Sequence, residues 1–575
     1  MVNVSAVREW IAADPDEDDR AELAELLSRA EEGEAEAQAE LDDRFSSFLQ
    51  FGTAGLRGPM AAGPFRMNTA VVRKAAAGLS SYLRKKTGGD AFLVVGYDAR
   101  RNSRKFAEDT AAIATAAGLR AALLTGEKLK ITRPAQLPTP ILAYAVRALG
   151  ADAGVMVTAS HNPARDNGYK VYLGGTHTDE DGRGVQLVPP ADAEIAREIE
   201  ATGPAADIPL ATDYATVGEE LVDSYVAECA ALVPAGPRDL RIVYTALHGV
   251  GAQIMRRVFA TAGFRDVVEV AEQCEPDPDF PTVAFPNPEE AGALDLAIAT
   301  ARRVGADLIV ASDPDADRCS AAVPDGDEWR QLSGDEIGSI LGEQAAQKLE
   351  RQAASGPSGA PESPGGVLAN SIVSSRLLGR IAAAHGAEHR ETLTGFKWIA
   401  RVHDIAYGYE EAIGFCVNPA AVRDKDGMSA GILLASVAAG LAASGSSLLG
   451  ELDRLYALHG VFLTAPVTVR VEDLSIIGRT MDKVRREPPA SLAGSPVVGS
   501  LDLSEGTEDL PPTDAIVWHT QADDRVVIRP SGTEPKVKCY LEVCEPVEGG
   551  LDSAKKTAAS RLEALKADVS AALKL

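Results

Sequence analysis

The apolar positions of this chain fall into short unbroken runs separated by longer stretches of helical spacing. Phe92-Leu93-Val94-Val95, Gly154-Val155-Met156-Val157, Ile242-Val243-Tyr244, Val267-Val268 and Leu308-Ile309-Val310-Ala311 are continuous rather than alternating, as strands covered on both faces are. Strands that alternate with helices predict α/β layers. Towards the end the pattern changes: Val537, Cys539, Leu541 and Val543 alternate with Lys536, Lys538, Tyr540 and Glu542, the period of two of a sheet with one wet face. Leu41, Phe45, Phe48 and Leu49 are expected on one face of an N-terminal helix behind an acidic lead-in, and Leu562, Leu565, Val569 and Leu573 on one stripe of a closing helix.

With 575 residues the chain is too long for one core, and roughly 150 residues per domain suggests about four. The expected units are 1–205, an α/β domain with a helical appendage; 206–325 and 326–462, two more α/β domains; and 463–575, a smaller α+β domain. Ala201 to Thr212 lacks periodicity and marks the first boundary. Gln352 to Gly366, rich in Ser, Gly, Pro and Ala, reads as a surface insertion.

Four polar loops interrupt this rhythm. Thr158-Ala159-Ser160-His161-Asn162-Pro163 follows a buried strand, and Pro163 disfavours an immediate helix, so Ser160 is expected on an irregular, exposed turn suited to a nucleophile. Asp313-Pro314-Asp315-Ala316-Asp317-Arg318 also follows a strand, and its alternating carboxylates suit Mg²⁺ or Ca²⁺ rather than zinc. An EF-hand is excluded, because Arg318 and Pro324 stand where Gly and Glu are needed. A phosphotransferase of haloacid-dehalogenase type, with Asp313 as nucleophile, is the rival reading. Arg529-Pro530-Ser531-Gly532-Thr533-Glu534-Pro535-Lys536 joins two strands and offers an arginine fork, two hydroxyls and a close-approach glycine to a phosphate. In Gly408-Tyr409-Glu410-Glu411-Ala412-Ile413-Gly414 the paired acids can accept bonds from sugar hydroxyls. Arg423-Asp424-Lys425-Asp426-Gly427, which offers cations to a second phosphate, follows it, and Thr394-Gly395-Phe396-Lys397 precedes it.

Together with Gly52-Thr53-Ala54-Gly55-Leu56-Arg57-Gly58 and Asn167-Gly168-Tyr169-Lys170, these ordered motifs resemble the α-D-phosphohexomutases of the phosphoglucomutase/phosphomannomutase superfamily, over about residues 45 to 545. The sugar and phosphate loops look most similar to the branch with bacterial phosphoglucomutases and phosphopentomutase/glucose-1,6-bisphosphate synthase relatives. The resemblance implies three similar α/β domains around a central cleft plus a C-terminal α+β domain. It implies that Ser160 carries a phosphoryl group and that Asp313, Asp315, Asp317 and a phosphoserine oxygen hold Mg²⁺. Lys170 would be general acid/base, with Arg57 and His161 beside the phosphoserine. Glu410 and Glu411 would bind sugar hydroxyls, with Arg318, Thr394, Gly395 and Lys397 in the same cleft. Arg529, Ser531, Gly532 and Thr533 would clamp the distal phosphate on a mobile closing domain, with Arg423, Lys425 and Lys536 nearby. Ala412 stands where sister branches have serine, which removes one sugar contact.

The composition is that of a globular enzyme, 45% hydrophobic and 25% charged, and a net charge of −27 argues against nucleic acid or an anionic membrane as partner. It also repels a sugar phosphate, so the attraction must be local. No export signal is read in Met1 to Arg20, and no run approaches the ~20 apolar residues of a membrane span. Six cysteines without zinc-like pairing fit reduced thiols in the cytoplasm, with Cys319 and Cys416 close enough to the loops for thiol reagents to inhibit, and His248 reads as structural. The expected activity is interconversion of glucose 1-phosphate and glucose 6-phosphate through glucose 1,6-bisphosphate, by a monomer or dimer acting on small sugar phosphates. Phosphopentomutase, phosphomannomutase and a non-catalytic sugar-phosphate-binding regulator are the alternatives.

Overall fold

Each unbroken apolar run forms a strand, buried apart from Phe92 and the half-buried Val267-Val268, and the Ser160 and Asp313 loops lie where two of these strands end. The computed structural model describes residues 2–53, 55–125, 136–355, 365–470, 474–530 and 536–573. They divide into two compact units, Met1–Leu332 with Gly414–Ala439, and Ser333–Ile413 with Gly440–Leu575.

In the first unit, Phe92–Tyr97 runs parallel to Arg120–Leu124 on one side and to Ala153–Val157 on the other. All of Ala153–Val157 is buried, as its continuous apolar sequence requires. Asp166–Leu173 returns antiparallel beside it and pairs in turn with Leu56–Pro59. A second sheet repeats the device: Leu308–Ser312 lies parallel to Arg241–Thr245 and is followed by antiparallel Cys319–Asp325. Ser160 and Asp313 therefore sit at equivalent places, each just past the end of a buried strand that turns straight back.

Short strands extend both sheets. Ala215–Val217 pairs with Arg120–Leu124, and Glu328–Gln331 with Cys319–Asp325, so the two sheets extend past residues 205 and 325. Both are short edge strands, exposed along most of their length. Within the stretch 326–462, Gly414–Ala439 groups with the first unit. A Cβ on Gly431 would stand 3.1 Å from both Met255 and Val310, so the glycine lets this helix lie flat on the second sheet.

The second unit contains a parallel sheet of Glu388–Thr392, Val367–Ser371 and Ile405–Glu410. It also contains the antiparallel sheet that runs from Val461–Arg470 through Lys536–Glu545, Arg525–Pro530 and Ile516–Thr520 to Ser495–Asp502. The period-two stretch is that sheet's Lys536–Glu545, with one exception: Glu542 is buried. Its carboxylate accepts from Ser375 Oγ at 2.9 Å and from Arg376 N and Nε at 2.7 and 2.6 Å. Asp335 is held likewise, by Ser375 N, Tyr409 Oη and Thr464 Oγ1 at 2.7, 3.0 and 2.7 Å. Of the stretch read as an insertion, 356–364 lies outside the described residues.

The N-terminal appendage is three helices, Val4–Ala13, Glu17–Glu31 and Ala35–Arg44, closed over Val7, Leu23, Leu26, Leu27 and Leu41. The last helix is shorter than its hydrophobic face suggested. It ends at Arg44, and Phe48 and Leu49 pack on the core of the first sheet instead. Trp10 bridges the two, 6.5 Å from Phe45 and 6.3 Å from Phe48. In the closing helix Leu551–Ala572, Leu562, Leu565 and Val569 are buried, with Leu573 at its end, as the stripe predicts. The six cysteines are free and buried, Cys319 and Cys416 completely, which removes the basis for inhibition by thiol reagents at those two. Among the described residues, no single helix is long and apolar enough to cross a membrane.

A pH dependence follows from the start of Glu17–Glu31. Burial, then Asp14, Asp16 and Glu22, push the Asp19 carboxyl up to about 7, with Lys105 opposing. The native state thus keeps a proton that the unfolded chain has lost, and the stability this contributes is present below the ordinary carboxylate range and lost as pH rises through about 7. Amide protection in Glu17–Glu31, after division by the intrinsic base-catalysed exchange rate, should be lower at pH 8 than at pH 5.5, and Asp19→Asn should flatten the difference. Equal pH dependence in wild type and variant would refute it.

Candidate active site

Ser160 has φ +51°, a left-handed conformation that a non-glycine residue adopts only when its surroundings impose it. Thr158 Oγ1 accepts its N–H at 2.8 Å, and its own hydroxyl donates to Asp313 Oδ2 at 2.7 Å. Sequence placed this serine on an exposed turn; it is only 3% exposed, because the carboxylate loop of the second sheet closes over it. His161 Nδ1 lies 3.2 Å from Ser160 Oγ. Burial, then Arg318 and Arg57, push this imidazole well below its ordinary pKa, so it is neutral at pH 7. Arg57 reaches the same loop through Asn162 Oδ1 at 3.0 Å.

The carboxylates of Asp313, Asp315 and Asp317 converge, with one oxygen of each lying within 4.8 Å of the others, and all three are buried. Close backbone contact shapes their loop. A Cβ on Gly249 would lie 2.2 Å from Pro314 Cα, and one on Gly427 2.2 Å from the Arg318 carbonyl, so only glycine permits either approach. Val250 N donates to the Pro314 carbonyl at 2.8 Å, which gives the Leu247-to-Gly251 turn its purpose. His248 is structural as expected, with Nε2 2.8 Å from Thr282 Oγ1.

Counter-charges come from three directions. Lys170 Nζ donates to Asp315 Oδ2 at 2.8 Å and Asp317 Oδ2 at 3.0 Å. Lys425 Nζ is 3.1 Å from Asp317 Oδ2. Thr139, at the N-terminus of helix Thr139–Ala148, donates from Oγ1 to Asp315 Oδ2 at 2.7 Å. Burial opposes the charge on Lys170, yet Asp315 and Asp317 hold its pKa above the ordinary lysine value. Asp313 is driven the other way: burial, then Asp315 and Asp317, raise its pKa well above the usual carboxylate range. Asp315 Oδ1 and Asp317 Oδ1 are buried without a hydrogen bond. Two orphaned carboxylate oxygens in an all-oxygen cluster fit a hard cation.

The other expected site residues divide between the units. In the first, Arg318 N donates to Asp313 Oδ1 at 3.1 Å, and Arg423 pairs with Asp181 at 2.8 Å. Tyr172, two residues from Lys170 on the same strand face, donates to Asp424 at 2.8 Å, beside Lys425. In the second, Glu410 ends the strand Ile405–Glu410, and Glu411 Oε2 accepts from Ser371 Oγ at 3.1 Å and Ser374 Oγ at 3.0 Å. Burial, then Glu410 and Asp335, push Glu411 up to about 7. Thr394 and Gly395 precede the short helix Phe396–Ile399, where Lys397 lies over the Trp398 ring at 5.8 Å. Arg529 and Lys536 flank their loop on paired strands, while Ser531, Gly532 and Thr533 lie outside the described residues. Sequence reasoning passed over Thr139, Tyr172 and Arg100. Only Asp98-x-Arg100 carried a signal, a charged pair directly after a buried strand.

Comparison with known proteins agrees along the chain. It matches phosphoglucomutase/phosphomannomutase α/β/α domain I over residues 49–205, domain II over 222–326, domain III over 333–456 and the C-terminal domain over 469–550. It is 42% identical to a Haemophilus influenzae protein named "Probable phosphomannomutase", over 83% of this chain and 93% of that one. It is 36% identical to the Saccharomyces cerevisiae phosphoribomutase, over 88% of each. A Burkholderia thailandensis phosphoglucomutase/phosphomannomutase family protein shares the fold, with TM-score 0.65 and 21% identity over 92% of this chain and 98% of that one. With four matched domains in order and relatives this similar over most of its length, the chain belongs to the phosphoglucomutase/phosphomannomutase family.

Proposed function

We propose that this protein is a phosphosugar mutase that carries a phosphoryl group on Ser160 and interconverts glucose 1-phosphate and glucose 6-phosphate, with glucose 1,6-bisphosphate as the intermediate. The observation that carries the reading is the hydrogen bond from Ser160 Oγ to a buried three-carboxylate cluster, with Lys170 on the same cluster. A loose phosphoryl-transfer transition state needs positioning and charge more than covalent chemistry, and these residues supply both. Asp313, Asp315 and Asp317, with a phosphoserine oxygen, would hold Mg²⁺, which when bound supplies positive charge to the phosphoryl oxygens. Ser160 accepts and returns the phosphoryl group. Lys170, held as an ammonium, exchanges the proton of the reacting hydroxyl. Glu410 orients the sugar, and Arg529 with Lys536 grips the phosphate that is not reacting.

The rival nucleophile fares worse, because both Asp313 oxygens are engaged, one by Ser160 and one by Arg318 N. A binding-only regulator leaves Ser160, Lys170 and the carboxylates without use. A pentose phosphate is the second reading of the same site. It is favoured by the likeness to a phosphoribomutase and by Ala412, which offers no hydroxyl to the sugar.

Peptide mapping of fresh protein should find an acid-stable phosphoserine at Ser160. Ser160→Ala should lose turnover by about a thousandfold or more, the scale seen when a nucleophile is removed. It should also lower Tm, since Asp313 loses a buried donor, a loss of roughly 1–3 kcal/mol. An Ser160→Ala enzyme with full activity would end the proposal.

Exhaustive chelation should abolish transfer while far-UV circular dichroism stays native, and Mg²⁺ should restore the rate. Zn²⁺ should restore less, being matched to softer ligands and lower coordination. Undiminished turnover without a divalent ion would remove the role given to the three aspartates.

Among glucose, mannose, ribose, deoxyribose and glucosamine phosphates, glucose 1-phosphate should give the highest kcat/KM, with measurable activity on a pentose 1-phosphate. Arg529→Ala should weaken all of them alike, by about 1.5–3 kcal/mol, the value of a hydrogen bond to a charged group. A pentose 1-phosphate that outruns glucose 1-phosphate would install the second reading and leave the residue roles in place.

A further inference from the structure

One guanidinium holds most of the Ser160 loop. Arg100, 5% exposed, donates from Nη2 to the carbonyls of Ser160 at 2.6 Å and Asn162 at 2.5 Å, and from Nη1 to those of Pro163 at 2.8 Å and Asp166 at 3.0 Å. Asp98 seats it from behind. One carboxylate oxygen lies 3.5 Å from Arg100 Nε, and the other accepts Arg100 N at 2.9 Å and Ser103 Oγ at 2.7 Å. The guanidinium face is covered by Phe280, at 5.0 Å from the ring centroid. Phe280 lies in the irregular stretch after Asp266–Glu269, is itself left-handed at φ +46°, and follows Asp279, which takes Arg101 at 2.6 and 2.8 Å.

We propose that Arg100 is the positioning residue for the Ser160 hydroxyl and that Phe280 completes its seat. Ser160 is held on both sides, its N–H by Thr158 and its carbonyl by Arg100, which keeps it left-handed and aims Oγ at Asp313. A planar fork with donors in fixed directions can serve four carbonyls at once; a lysine ammonium cannot. Phe280 and Asp279 come from the second domain's part of the chain, so the seat of the nucleophile is built partly by the domain that carries the aspartates.

This inference rests on Ser160 as the phosphoryl carrier, so Ser160→Ala is assayed beside Arg100→Met, Arg100→Lys and Phe280→Ala. The readouts are kcat and KM for glucose 1-phosphate with Mg²⁺ and glucose 1,6-bisphosphate, the phosphoserine fraction by intact mass, single-turnover transfer from the phosphorylated enzyme, and Tm. Misplacement of a reacting group by about an ångström costs on the order of a hundredfold, and Arg100→Met should lose about that in kcat per folded enzyme, with KM changed no more than about threefold. Arg100→Lys should recover part of it. Phe280→Ala, which touches no reacting atom, should lose roughly fivefold in kcat at unchanged KM and slow single-turnover transfer to match. If Ser160→Ala is dead while Arg100→Lys and Phe280→Ala turn over at the wild-type rate, the positioning role is overturned. It is overturned equally if kcat falls only in proportion to the folded fraction. Activity in Ser160→Ala removes the carrier reading itself. Should Arg100→Met fail to fold, Arg100→Lys and Phe280→Ala decide.

Discussion

Three carboxylates buried on one hairpin are the constraint around which the first unit is arranged. A single ionised carboxylate taken out of water costs several kcal/mol unless it is paired and hydrogen-bonded, and Asp313, Asp315 and Asp317 are taken out together. No one element can pair them all. Lys170 comes from the first sheet, Thr139 from a helix N-terminus, Lys425 from the stretch after residue 414, and Ser160 from the loop after Ala153–Val157. The bonds that make the carboxylates tolerable are thus the bonds that assemble the site, and the glycines at 249 and 427 exist because the loop has to be approached so closely.

Much of this is legible in the sequence, for an identifiable reason. Buried strands are continuous apolar runs, and the loops that end them carry side chains with no structural use there, so Ser160, the aspartates and the Arg529 loop stand out without a fold. What stays hidden is pairing at long range. Nothing local ties Lys425 to Asp317 rather than to a phosphate, or marks Glu542 as buried, because burial of a charge depends on partners far away in the chain, here Ser375 and Arg376. The same reason explains the misread surroundings of Ser160: a Ser-His-Asn-Pro turn reads as wet until a second loop is brought over it. Edge strands such as Ala215–Val217 and Glu328–Gln331 escape because they are short and largely exposed.

The second unit solves a similar problem, among its described residues, without a cluster of three carboxylates. Asp335 and Glu542 are each saturated by donors from both of its sheets' surroundings, Thr464 and Tyr409 for the one, Ser375 and Arg376 for the other. Removing donors from either carboxylate leaves a buried acceptor short of hydrogen bonds, a loss of roughly 1–3 kcal/mol. The C-terminal sheet is therefore fastened to the parallel sheet of this unit by buried ionic contacts.

The chain carries a charge of −27 yet belongs to a family of sugar-phosphate enzymes, and the paired cations show how the two are compatible. A cation already resting on a carboxylate is neutral at long range and positive only to a group close enough to share it. Lys170 illustrates the point: it occupies Asp315 Oδ2 and Asp317 Oδ2, which leaves the two Oδ1 atoms without hydrogen bonds. Lysine and a hard cation need not compete for the same oxygens, because each carboxylate can offer one to each. Binding of a divalent ion would then add positive charge to the cluster while Lys170 stays charged, and the field felt at Ser160 Oγ would become more attractive to an anion. The positive character of such a site is conditional and confined to the cluster, which lets a strongly acidic chain present local attraction to an anion.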